Sequence, residues 1–181
     1  MTNDCICGID PSLTNTGVIV GTSPGQYHWR SYASTNRGND VHNRIGRCES
    51  ICGHIVDFLE PYAPCQIFIE DYARQISNPA TFAATEFAAI LRYCLLDHKL
   101  IEVNTMHLKM FVADHGHAKK HQIKSAIDRN HDVDFGKDDD AYDAFGLFLL
   151  GLTANGQLLP QTAKQIHVMD KMGFTLEQSV Q

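Results

Sequence analysis

The run CQIFIED, residues 65 to 71, constrains the fold more than any other stretch of this 181-residue chain. It is short, apolar, rich in β-branched and aromatic residues, and bounded by Pro64 and a polar segment, so it reads as a buried central strand. Its apolar stretch ends on Glu70. A carboxylate closing a buried strand is costly unless it is paired, protonated or bound to a cation. The plainer alternative is an ordinary strand end leaving the core, with Asp71 as its solvated neighbour.

The rest of the chain arranges itself around that strand. CICGID (5–10), the turn PSLTNTG and then VIVG read as strand, turn, strand; a second turn at Ser23-Pro24-Gly25 leads into the alternating QYHWRSYAS. The opening is therefore expected to be an antiparallel meander. From Asp40 to Leu59 apolar and small residues recur at helical spacing, until Pro61 and Pro64 end the pattern. Asn78-Pro79 opens a long helical pattern through Leu95, and Ile101 to Val103 is another short strand. Helical patterns follow at His107 to Asp114, Lys119 to Asn130 and Lys137 to Leu152. Strands first, then helices alternating with short strands, imply a mixed α/β layer fold. The length suits one domain, drawn here at 1–154. Residues 155–181 are more polar and read as a docking helix or a partly disordered tail.

Composition narrows the function classes. With 44% hydrophobic and 20% charged residues the chain expects a packed core. A net charge of −6 argues against a protein that coats nucleic acid by bulk attraction. No apolar run approaches the ~20 residues needed to span a bilayer, and MTNDCICGID lacks a signal-peptide pattern, so the expectation is a soluble, intracellular protein. Six cysteines, at 5, 7, 48, 52, 65 and 94, include no Cys-x-x-Cys pair and read as buried or half-buried free thiols.

Three further acids join Glu70. Asp10 closes an apolar strand before Pro11, which cannot continue a central ladder, so its carboxylate is presented at the strand end. A turn-forming aspartate is the alternative there. Asp140 and Asp143 are three apart in a helical pattern and share the face of Ala144, Leu147 and Leu150. Helix capping explains Asp138 to Asp140 well but Asp143 poorly, because Asp143 lies a turn further in. Four carboxylates gathered at one sheet edge would repel one another unless divalent cations compensated them. Hard oxygen donors suit magnesium or manganese, and two such ions about 4 Å apart serve phosphodiester hydrolysis.

GIDPSLTNTG, IFIED and DDDAYDAFGL, in that order and spacing over roughly residues 6 to 152, resemble the RuvC-type Holliday junction resolvases of the ribonuclease H-like superfamily. The resemblance implies a ribonuclease H-like mixed central sheet, antiparallel strands opening it and parallel strands following, flanked by helices. It implies that Asp10, Glu70, Asp140 and Asp143 are the metal-binding catalytic set, and it places HLKMF and HAKKHQI in the DNA-contacting region. Lys109 and Lys120 align with the family's functional lysines, with Lys119 the alternative to Lys120; Lys120 joins the catalytic set, and Lys119 and Lys124 join the DNA-binding one. The family's aromatic residue three positions after the glutamate is not matched, since Ala73 stands there; Tyr72 or Phe82 are the candidates to replace it. Asp140 is chosen over its neighbours by its spacing to Asp143.

The implied activity is Mg²⁺-dependent cleavage of four-way DNA by a homodimer, with two ions per site (Mn²⁺ able to substitute), paired symmetric nicks and 5′-phosphate products. A setting in a bacterium, a virus-infected cell or an organelle fits equally. The basic segment from Asn104 to His131 softens the charge objection, with five Lys or Arg against two Asp. Its histidines, 107, 115, 117, 121 and 131, are candidates to donate to phosphate or simply a solvated helix surface, and they lack zinc-like spacing. Two other functions compete. One is a relaxed nuclease of branched DNA or flaps; the other is an actin-like phosphotransferase, whose first phosphate loop GIDPSLTNTG also resembles but whose two domains 181 residues hardly accommodate.

Overall fold

The computed structural model describes residues 4–34, 38, 40–71 and 79–175. Strand β1 (Ile6–Asp10) is buried along its whole length, and β2 (Thr16–Ser23) along all but its last two residues. Strands covered on both faces require helices above and below the sheet. Edge strand β3 (Gln26–Tyr32) is largely exposed, while β4 (Gln66–Glu70) is buried at Ile67, Phe68 and Ile69 and pairs with β5 (Lys99–Val103). The sheet order is β3-β2-β1-β4-β5. β1, β2 and β3 pair antiparallel, and β4 and β5 extend the sheet in parallel from β1. This is the mixed sheet that the resemblance implies.

Alternation along the strands divides the core in two. Cys7, Ile9, Ile67 and Ile69 pack under α1 (Val41–Leu59) and α2 (Pro79–Cys94), whose Ile51, Ile55, Phe87 and Leu91 face them. Ile6, Ile19 and Phe68 point to the other side. There they meet α5 (Asp139–Ala154), backed by α3 (Thr105–Ala113), α4 (Lys120–His131) and α6 (Ala163–Lys171).

Helix α5 lies unusually close to the sheet because two strand positions lack a side chain. A Cβ on Gly8 would sit 2.3 Å from the Ala144 carbonyl, and one on Gly17 would sit 2.3 Å from that of Asp140. Neither distance is possible, so these glycines set the depth at which α5 docks.

Two helix starts lie two residues from the sequence pattern, and capping explains both. Asn104 accepts from the Met106 N–H at 2.9 Å, so α3 begins at Thr105 rather than His107. Asp138 accepts from the Ala141 N–H at 3.0 Å, so α5 begins at Asp139. The cysteine expectation needs correction: all six are free, but Cys65 and Cys94 are exposed, the first in the turn before β4 and the second at the end of α2. Beyond residue 155, α6 buries Val168 and Met169 completely, and Thr162 donates to Asp114 at 2.9 Å. Among the described residues no helix is long and apolar enough to cross a membrane.

Candidate active site

The same alternation that builds the core aims the acids. Asp10 shares its strand face with Ile6 and Gly8, and Glu70 shares its face with Phe68, so both carboxylates point to the α5 side. On α5 the three-residue step puts Asp140 and Asp143 on the side that faces them. The four predicted acids therefore meet at one end of the sheet, where β1 and β4 stop.

Their electrostatics record the crowding. Asp10 is 7% exposed, and its pKa is raised well above the carboxylate range by burial, by the charge and hydrogen bonding of Glu70, and by Asp143 and Asp140. Asp143 is pushed up to about 7, by burial first and then by the charge of Glu70; Lys120 and Lys109 pull it down and Asp140 pushes it up. Lys120, at the start of α4, donates to Asp140 Oδ1 at 3.1 Å. Burial lowers the pKa of Lys120, but the hydrogen bond and charge of Asp140, helped by Asp143 and Asp10, outweigh it and leave the ammonium held firmly charged.

The neighbouring acids separate cleanly into roles. Asp138 caps α5 and also accepts from Asn15 Nδ2 at 2.8 Å, which ties the β1–β2 loop to the helix start. Asp139 lies 4.0 Å from Lys120, on the more solvated side. Two residues around Glu70 did not stand out in the sequence. The Thr105 hydroxyl donates to Glu70 Oε1, and Arg92 Nη2 donates to the Glu70 carbonyl at 2.7 Å. Arg92 carried a readable signal, a cation on the same helical stripe as Ala88 and Leu95; Thr105 carried none beyond following a capping asparagine.

The donors fit hard divalent cations through their chemistry. Asp10 and Asp143 resist ionisation first because they are buried and then because carboxylates crowd them with few cations to offset the charge, a deficit that added positive charge would relieve. The fit lies in the donor set rather than in a finished cage. Among the described residues no three His, Cys, Asp or Glu side chains already stand in coordinating geometry.

The remaining expected contacts are dispersed. Lys119 is exposed beside Lys120, and Lys109 is partly buried within electrostatic reach of Asp143. Lys124 is turned inward, donating to the Gly136 carbonyl at 2.7 Å and the Tyr142 hydroxyl at 2.6 Å, so its ammonium secures the approach to α5. Tyr72 lies outside the described residues. Phe82 is exposed on α2 under the Arg44 guanidinium, and burial lowers the pKa of His131, which packs edge-on to Phe145.

Sheet order, strand directions and an acid-bearing helix docked across the sheet define a ribonuclease H-like α/β protein. No family model matches the chain. In sequence it is similar to the crossover junction endodeoxyribonuclease RuvC of Methylobacillus flagellatus, 28% identical over 131 residues, 68% of this chain and 73% of that relative. In structure it superposes on Thermus thermophilus RuvC in complex with Holliday junction substrate with a TM-score of 0.66, at 12% identity over 94% of this chain and 97% of that one. It also superposes on the yeast mitochondrial Holliday junction resolvase Ydc2 with a TM-score of 0.56, at 14% identity over 95% of this chain and 83% of that one. The likeness read from the motifs recurs at both levels: the chain is similar to a RuvC in sequence and shares the fold of RuvC and Ydc2.

Proposed function

We propose that this protein is a structure-selective DNA endonuclease that resolves Holliday junctions by metal-dependent phosphodiester hydrolysis. The observation that carries the reading is the convergence of Asp10, Glu70, Asp140 and Asp143 at the end of β1 and β4, with too little positive charge to balance them. The names of its structural relatives, both junction-resolving proteins, point the same way.

The four carboxylates would hold two Mg²⁺ ions, with Mn²⁺ an adequate substitute. When bound, such ions lower the pKa of the attacking water and neutralise charge on the leaving 3′ oxygen, which yields a 5′ phosphate. Asp10 and Asp143, whose pKa values are raised first by burial and then by the neighbouring carboxylates, would ionise more readily beside bound cations. Lys120, kept charged beside Asp140, is placed to meet a backbone phosphate, with Lys109 and Lys119 extending the positive surface. Burial of the carboxylates strengthens each of these interactions by excluding water.

A homodimer completes the reading. A two-fold pair presents two sites to the two symmetry-related strands of a junction. Phe82, Tyr93 and Leu96 leave apolar surface along and just beyond α2, which a second copy would cover.

Synthetic four-way junctions, flaps and linear duplex, each incubated with Mg²⁺ or with EDTA, test the proposal. Paired symmetric nicks in the junction alone are expected. Equal cutting of flaps would favour the relaxed nuclease, and absence of any metal-dependent cleavage would defeat both. Alanine at Asp10, Glu70 or Asp143 should abolish cleavage while junction binding persists. A folded variant that cuts at the wild-type rate removes its residue from the catalytic set.

A further inference from the structure

We infer that Thr105 and Arg92 are positioning residues that grip Glu70 at its two ends, carboxylate and backbone carbonyl, and so hold it in the orientation from which it ligates a divalent cation alongside Asp10. The inference rests on the metal-site reading above.

Glu70 sits where the sheet runs out. It is the last residue of β4; the Asp71 N–H still bonds the Val103 carbonyl at 2.9 Å, but the neighbouring strand continues as Pro11, which has no N–H to offer. Arg92 supplies the donor. Its guanidinium is fixed in three directions, by the Glu70 carbonyl at 2.7 Å, the Ala88 carbonyl at 3.1 Å and Glu102 Oε1 at 2.8 Å. The residue is 8% exposed, so water competes little for its bonds to the two carbonyls, while Glu102 is half exposed. A planar fork that satisfies three acceptors at once is a task lysine cannot reproduce.

At the other end, Thr105 donates its hydroxyl to Glu70 Oε1. Thr105 opens α3, and its position is set by Asn104 capping that helix. The bond matters because Glu70 has both a reason and room to turn away. The charge of Asp143 repels it, and so does that of Asp10, which also holds it through a shared hydrogen bond. A cavity of about 140 Å³, lined by Pro11, Thr85, Ala84, Ala88 and Thr105, lies beside it. Repulsion and empty space favour a rotated carboxylate, and the hydroxyl and the braced backbone oppose that rotation.

Mn²⁺ binding to the junction-free protein, followed by electron paramagnetic resonance, tests the inference without cleavage. Thr105→Val keeps the shape and removes the hydroxyl; it should weaken Mn²⁺ binding about 10-fold, the scale seen when a partner of a metal ligand is lost. Thr105→Ser should keep the wild-type affinity. Arg92→Met should weaken Mn²⁺ binding similarly, and the metal concentration for half-maximal cleavage should rise in step with junction affinity unchanged. Folded Thr105→Val with wild-type Mn²⁺ affinity overturns the inference, as does a fall in melting temperature with metal affinity intact. Should Arg92→Met not fold, Arg92→Lys is judged by the same criterion. Wild-type protein that binds Mn²⁺ yet cuts no branched DNA defeats the nuclease reading and leaves this comparison standing; wild-type protein that binds no Mn²⁺ defeats both.

Discussion

Asp143 shows what a single residue carries here. Its folded pKa is about 7, whereas an unperturbed aspartate titrates near 3.8. Between those values the folded state binds more protons than the unfolded one, so this group's stabilising contribution, complete below about pH 4, is lost as pH rises through 7. In EDTA, therefore, urea unfolding should report stability declining from pH 5 to pH 8. Asp143→Asn, which cannot ionise, should flatten that decline and leave the metal-free protein more stable than wild type at pH 8. An unchanged slope would show that Asp143 ionises freely in the fold. The sequence pattern separated Asp143 from the capping residues correctly, because its place one turn inside the helix sets it among Ala144 and Leu147. That Asp138 also accepts from Asn15, and that Lys124 bonds Tyr142, depended on contacts between segments that the chain's order does not specify.

Among the elements, α5 is the one whose placement matters most. Its two acids reach Asp10 because Gly8 and Gly17 let helix backbone approach strand backbone. Gly17→Ala should force the helix outward and lower stability by about 1–3 kcal/mol, the usual scale for overpacking; chemical denaturation and Mn²⁺ affinity should fall together. Gly46→Ala is the natural control. Gly46 is exposed within α1 with nothing near its would-be Cβ, so alanine there should stabilise by about 0.5–1 kcal/mol. The strands and most helices were legible because their periods of 2 and 3.6 survive in the sequence. The two helix starts were shifted by capping residues, Asn104 and Asp138, whose effect lies outside the apolar pattern.

For the whole molecule, the polar stretch after residue 155 contributes to the core. Val168 and Met169 of α6 are fully buried, and each such side chain is worth about 1.5–3 kcal/mol. Truncation after Pro160 should therefore lower the unfolding free energy by about 3 kcal/mol or more, read as a reduced urea midpoint, and expose the flank of α3. The acidic balance also changes meaning at this scale. Two divalent cations would offset four of the six net negative charges, leaving a lysine-bearing surface to meet DNA of a particular shape. The sequence by itself determined which residues alternate, which strands end on acids, and that two acids lie one helical step apart, since these are local consequences of backbone geometry. Only the tertiary structure decided that those acids meet, that burial raises the pKa values of Asp10 and Asp143, and that Arg92 and Thr105 close around Glu70. Distances between segments far apart in the chain, and the burial that follows, arise from packing, and no local pattern encodes them.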